Sequence, residues 1–365
     1  MSIELIISLV KANIVLAVLL TNTILLIWFE RKVVAGMQSR VGPDRAGPFG
    51  ILQTLADAIK LLLKEQILPS KADRAMYLLA PLIALVPSFL IFMIIPLGPD
   101  ITVEWQNALY TIPLVGADLN VGVLYFLALS SIAVYSVVLA GWSSGSKYPL
   151  LGGVRASAQM ISYEAAMGLA LVPVILYSGS LSLVDIVNSQ SGNLSSSIPI
   201  LKSIVSFIPK WNIFPQFVAF GIFFIAAVAE VNRAPFDLVE AEQELVGGFH
   251  TEYSGFRFAM FFLAEYINMF NMCAITATFF LGGWLGPTFE GILPPIFSVI
   301  MPIIWLGVKT FLLLFVFVWI RATLPRLRYD QLMELGWKRM IPLSLVWLIL
   351  SAIVLGLREF GLPWS

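Results

Sequence analysis

The sequence predicts an all-α fold: a polytopic transmembrane helical bundle of about eight spans, organised as a single membrane domain over residues 1–365. Three observations predict it. Hydrophobic residues make up 59% of the chain and charged residues only 12%, with a mean hydropathy of +0.90, which excludes an ordinary soluble globule. Apolar runs near the twenty residues or so needed to cross a bilayer recur along the whole length. Lys and Arg collect on alternate connections between those runs, as a membrane topology requires.

The spans are expected at about 6–29, 76–97, 119–142, 157–178, 214–232, 256–283, 299–320 and 340–357. Glu4 stands where a leader would carry basic residues, so the N-terminal run is expected to be the first span and not a cleaved signal. After that span come Arg31, Lys32, Arg40, Arg45, Lys60, Lys64, Lys71 and Arg74, and after the seventh come Arg321, Arg326, Arg328, Lys338 and Arg339. The connections around 98–118 and 284–298 have no Lys or Arg, and 179–213 has only Lys202 and Lys210. The positive-inside rule puts the first set on the cytoplasmic side and the N-terminus on the outer face. Trp28, Trp142 and Trp319 each precede an inside loop, at the depth of an aromatic belt.

Between the first two spans, residues 49–64 (FGILQTLADAIKLLLK) form an amphipathic pattern. At 100° per residue Gln53, Asp57, Lys60 and Lys64 share one face, and Ile51, Leu52, Leu55, Ile59, Leu62 and Leu63 share the other. Such a helix either lies in the inner membrane interface or docks on the bundle or a partner, and both readings stay open.

The chain has one cysteine, Cys273, and one histidine, His250. Iron–sulfur clusters, structural zinc and bis-histidine haem need more ligands than that, so no metal is expected on this chain. There is no nucleotide-binding glycine fingerprint in strand–helix context and no nucleophile elbow, so FMN is not expected either; Gly152-Gly153 and Gly247-Gly248 read as loop turns. No basic nucleic-acid-binding patch stands out in this neutral, apolar chain, and membrane lipid is its expected surrounding. A lone loop histidine reads as a structural hydrogen-bonding residue rather than a proton donor.

The acids are the residues that call for an explanation. RAPFDLVEAEQELVGGFHTEY (233–253) gathers Asp237, Glu240, Glu242, Glu244 and Glu252 around the single base Arg233. Glu230 ends the fifth span, and Glu164 and Glu265 lie inside the fourth and sixth, about 12–15 Å below the inner surface at 1.5 Å per residue. A charge at such depth costs on the order of 3 kcal/mol and should face a cavity, a partner or the bundle interior. Apolar surroundings and like-charge neighbours favour the protonated carboxyl, which suits a proton relay from the loop through Glu230 to Glu164 and Glu265. The alternative is that each acid pairs with a base in the bundle, for which Lys11 and Lys309 are the candidates.

Seven motifs then carry a resemblance: Glu30-Arg31-Lys32, RVGPDRAGPFG (40–50), GSKYPLLGG (145–153), SYE (162–164), RAPFDLVEAEQELVGGFHTEYSG (233–255), AEY (264–266) and WIRATLPRLRYDQLMELGWK (319–338). In this order the chain resembles the H-subunit family of bacterial NADH–quinone oxidoreductases, the membrane subunits of respiratory complex I whose mitochondrial counterpart is NADH dehydrogenase subunit 1. The resemblance covers nearly the whole chain and is weakest in the outside loops.

That resemblance implies a subunit that works only in a complex, in the bacterial inner (plasma) membrane. Its partners would be the peripheral quinone-site and iron–sulfur subunits and other membrane-arm subunits, including antiporter-like ones. Quinone would be the substrate, with its electrons supplied by another chain. Glu230, Glu240 and Glu242 would begin an acidic proton path that Glu164 and Glu265 continue into the bilayer. Glu30, Arg31, Phe236 and Asp237 would lie near the quinone passage, with 49–64 at its lipid-facing entrance. Some relatives place a glutamate where this chain has Ser131, which can hold water but carries no charge. Two other readings stand beside this one: a transporter or channel acting alone, although no repeat symmetry is visible, and the homologous subunit of a ferredoxin- or hydrogenase-linked complex.

Overall fold

The computed structural model describes residues 3–105, 108–192, 209–237, 246–287 and 296–360. In chain order they form α1 (Ile3–Met37), the short α2 (Gln53–Leu63), α3 (Arg74–Met93), strands β1 (Ile101–Trp105) and β2 (Ala108–Ile112), α4 (Gly122–Ser143), α5 (Lys147–Ser178) and α6 (Leu183–Ser189). There follow α7 (Phe217–Glu230), α8 (Gly255–Phe280), α9 (Ile296–Thr323), α10 (Tyr329–Glu334) and α11 (Ile341–Phe360), with one π-helical turn, Leu335–Met340, joining the last two. Seven of these segments are long and apolar enough to cross a membrane, which makes the chain a multi-pass membrane protein. The run expected as the fifth span is α7, a helix of only 14 residues.

Local chemistry sets several boundaries. Asp73 caps α3, its carboxylate accepting from the backbone N–H of Ala75 (3.1 Å) and Met76 (3.4 Å). Gly179 ends α5 in the left-handed conformation at φ 70°, which a glycine adopts without strain. The loop after α3, expected without regular structure, holds an antiparallel ribbon in which Ile101 pairs with Ile112. The helix expected over 49–64 spans only 53–63, because Phe49 takes a positive φ of 55° that breaks helical geometry before it.

The core runs through α4, α5, α7 and α8, where Phe126, Tyr163, Phe223, Phe279 and Phe280 are fully buried. α1, α2, α9 and α11 turn large apolar side chains outward, as lipid-facing helices do. On α2 these are Leu52, Leu55, Ile59, Leu62 and Leu63, so the expected apolar face is left open.

One expectation about glycine is corrected. Gly152-Gly153 is not a loop turn: α5 begins at Lys147 and runs through both residues. Their use is close approach. A Cβ on Gly152 would sit 2.6 Å from Cα of Gly248, and one on Gly153 would sit 3.0 Å from the Val137 carbonyl. α5 therefore packs backbone to backbone against the turn Gly248–His250 on one side and α4 on the other. The second pair, Gly247-Gly248, does lie at a turn. The early start of α5 also places Glu164 seventeen residues into the helix rather than two turns.

Gly152→Ala is expected to lower the stability of the protein by about 1–3 kcal/mol, since the added methyl meets backbone that cannot rotate away. Gly168→Ala on the same helix, where the nearest atom to the new Cβ is 4.0 Å away, should be neutral or stabilising. Thermal unfolding of the two variants in detergent or lipid measures the contrast.

Candidate functional site

A buried guanidinium organises the acids. Arg233 is 5% exposed, in the turn that follows α7. Its Nε lies 2.8 Å from a Glu265 carboxylate oxygen and its Nη1 donates to Glu30 Oε1 at 3.4 Å. Its plane sits over the Tyr266 ring, 4.4 Å from the centroid. Glu30, itself 4% exposed toward the C-terminal end of α1, accepts a second and shorter hydrogen bond from Nη1 of Arg321 at the end of α9. Two acids read separately in the sequence, one toward the quinone passage and one on the proton path, thus share a cation. The bases expected as their partners go elsewhere. Lys309 donates to the carbonyls of Leu281 (2.6 Å), Gly283 (2.9 Å) and Leu285 beyond the end of α8, with Trp211 over its ammonium, and Lys11 donates to the Pro113 carbonyl (2.9 Å). The pairing expected with Lys11 or Lys309 is therefore corrected to Arg233 and Arg321 for Glu265 and Glu30.

A second group of acids is held by serines of α4. Ser130 Oγ donates to Glu230 Oε1 at 2.6 Å, and its neighbour Ser131 Oγ makes a short bond to Glu164 Oε1. Consecutive residues on one helix thus reach acids on two others, and the Glu164 charge acts on Glu230. Ser131, singled out in the sequence for its hydroxyl, is thus a direct hydrogen-bond partner of Glu164. Glu230 is 6% exposed, and its other oxygen has no hydrogen-bond partner among the described residues. It borders a cavity of about 70 Å³ with Asp237, Glu265, His250, Asn232 and Asn268, room for a few ordered waters. Glu230, Asp237 and Glu265, far apart in sequence or unrelated in pattern, meet there.

The turn 229–237 has to be fixed without helical hydrogen bonds. Gln159 of α5, fully buried, does this: Nε2 donates to the carbonyls of Ala229 and Phe236 (both 2.8 Å) and to Asn232 Oδ1 (3.2 Å). The Phe236 ring packs on Tyr163, ring centres 5.4 Å apart. Arg326 Nη2 donates to Asp237 Oδ2 at 3.1 Å. Farther on, Tyr77 and Tyr253 stack with centroids 4.1 Å apart, and the Tyr77 hydroxyl donates to the Glu252 carbonyl (2.8 Å). His250 packs against the rings of Phe249, Phe258 and Phe262, and its burial there pushes the imidazole down to about 4.

Of the expected site residues, Arg31 departs from Glu30: it forms an ion pair with Asp57 of α2 at 2.5 Å, which Gln53 braces at 3.0 Å. Glu240 and Glu242 lie outside the described residues. Sequence reasoning missed Arg321, Gln159 and Ser130. A polar residue inside an apolar helix was the available signal for Gln159 and Ser130, and a base at a helix end for Arg321, but only the packing shows what each one holds.

A family model described as NADH dehydrogenase matches residues 10–352. The chain is 47% identical to the NADH-quinone oxidoreductase H subunit 2 of Koribacter versatilis, an alignment covering 97% of this chain and 98% of that one. It is 51% identical to the corresponding H subunit 2 of Syntrophobacter fumaroxidans, covering 92% of each, and 50% identical to the H subunit of Ralstonia nicotianae, covering 95% and 91%.

Removing Arg233 alone would take a guanidinium from the half-buried Glu265 and leave the buried Glu30 with Arg321. Arg233→Met should cost about 3–5 kcal/mol and deplete the folded protein in membranes. Adding Glu265→Gln to that variant should restore most of it, because Glu30 keeps its pairing with Arg321; immunoblotting membrane extracts checks both. The depressed His250 imidazole gives a pH dependence of definite sign. Above pH 6.5 both folded and unfolded chains hold it neutral. Between 6.5 and about 4 the unfolded chain takes up the proton first, so stability falls with pH across that window. His250→Phe should remove this contribution, seen as a flatter thermal midpoint between pH 7.5 and 5.

Proposed function

The chain belongs to the NADH dehydrogenase family, and from that premise we propose that it is the quinone-chamber and coupling subunit of a proton-translocating NADH–quinone oxidoreductase. The observation that carries the proposal is the shared Arg233 together with the cavity that joins Glu230, Asp237 and Glu265. Under it the Glu30–Arg321 end borders the quinone passage, with Phe236, Asp237 and Arg31 near it. α2, tied to α1 through Arg31 and Asp57, borders the lipid-facing entrance with its open apolar face. Peripheral quinone-site and iron–sulfur subunits deliver the electrons, and antiporter-like subunits receive the effect of the proton path. The complex would sit in the bacterial inner membrane with the N-terminus of this chain outside, as the distribution of basic residues supports.

The division of labour follows from charge. Reducing quinone in a closed chamber creates negative charge and takes up protons. An anion near Glu30 competes for Arg321 and Arg233, and any shift of Arg233 alters the charge felt by Glu265. Waters in the cavity connect Glu265 and Asp237 to Glu230, and the Ser130–Ser131 pair carries the chain on to Glu164. Glu240 and Glu242 would supply the loop end of this path.

Glu164→Gln and Glu265→Gln keep side-chain shape while removing the ionisable proton. Each is expected to leave the complex assembled and NADH oxidation by an artificial acceptor intact, while proton uptake and quinone reduction fall severalfold. Normal pumping by fully assembled complexes carrying either change would remove these acids from the mechanism.

A further inference from the structure

Lys11 has no part in the acid network. Its position on α1 is nineteen residues before Glu30, about 28 Å at 1.5 Å per residue, close to the 30 Å thickness of a bilayer's hydrocarbon core. Lys11 thus stands toward the opposite end of α1 from Glu30. Its ammonium does not reach away from the protein as a snorkelling lysine would. It turns inward to the Pro113 carbonyl at 2.9 Å, and among the described residues no carboxylate pairs with it. It stands beside a groove of about 340 Å³ between α1 and the segments on either side of the β-ribbon. Val10, Ile14, Leu97, Ile112 and Val115 line the groove, which is apolar apart from Lys11 and backbone groups. Val10 and Ile14 are each about half exposed, so this face of α1 is uncovered.

We propose that this groove is a binding site for an anionic glycerophospholipid in the leaflet opposite the Glu30 end, with its phosphate on Lys11 and one acyl chain along Val10 and Ile14. The charge selects the occupant. An ammonium toward one end of α1 calls for an anion, and an apolar slot beside it calls for a hydrocarbon chain; one molecule supplies both. The site serves anchoring of the α1–ribbon edge and stands independently of the proton path.

The test uses the purified complex in lipid nanodiscs doped with phosphatidylglycerol carrying a photoactivatable group in one acyl chain, with labelled peptides mapped by mass spectrometry. Segments 10–15 and 112–116 should be labelled, and a phosphatidylcholine probe of the same chain should label them at least severalfold less. Lys11→Gln should bring phosphatidylglycerol labelling down to the phosphatidylcholine level, Lys11→Arg should keep it, and Ile14→Trp, which fills the slot, should lower both. Equal labelling by the two lipids in the unmodified complex overturns the proposal even if Lys11→Gln fails to assemble. So does unchanged labelling in an assembled Lys11→Gln complex, or capture of a neighbouring subunit by a photo-crosslinker at Ile14.

Discussion

Placing a full charge inside a bilayer bundle is the constraint on which the rest of this structure depends, and Arg233 is where it is met. A guanidinium cannot shed its charge, so its surroundings must supply anions, and here they come from α1 and α8, with Arg321 of α9 completing the set. Three long helices are thereby tied at one depth by a device that apolar packing could not provide. Apolar packing tolerates sliding; a set of shared carboxylate oxygens does not. The same device has a chemical side. Carboxylates that share a cation sense each other, so a change at Glu30 reaches Glu265 through the one guanidinium that both touch.

Around that point the backbone is brought unusually close. Gly152 of α5 meets Gly248, and Gln159, two turns farther along the same helix, holds the carbonyls of Ala229 and Phe236. α5 is thus a rigid template for both ends of the acidic connection. Its glycine face admits one end and its buried amide fastens the other. The amide matters because non-helical backbone at this depth has no water to satisfy it, and an unmet carbonyl or N–H in an apolar setting is costly.

Much of this was legible in the sequence, and the parts that were not have physical reasons. Span positions, the amphipathic stretch and the importance of Glu164, Glu230 and Glu265 follow from hydropathy and from the cost of buried charge, both of which are local. Pairing is not local. Lys11 and Lys309 were the bases visible within spans, yet both spend their donors on carbonyls, while the actual counterions are Arg321, from a helix end that read as a topology signal, and Arg233, the single base of the acidic stretch itself. Gly152-Gly153 looked like a turn because a glycine pair disfavours a helix, and tertiary packing overrode that preference. The β-ribbon after α3 escaped notice because attention to hydropathy leaves short strands in connections without a signal.

The shortness of α7 has an electrical meaning. A transmembrane potential is worth about 2.3 kcal/mol per charge per 100 mV, and it falls only where water does not reach. α7 is 14 residues long, against 20 for α3, and its C-terminal end borders the polar cavity at Glu230. With water in that cavity, the same voltage drops over roughly 21 Å instead of 30 Å. Glu230 then stands at the steep foot of the field, where the energy of a proton depends on which side of one helix end it occupies.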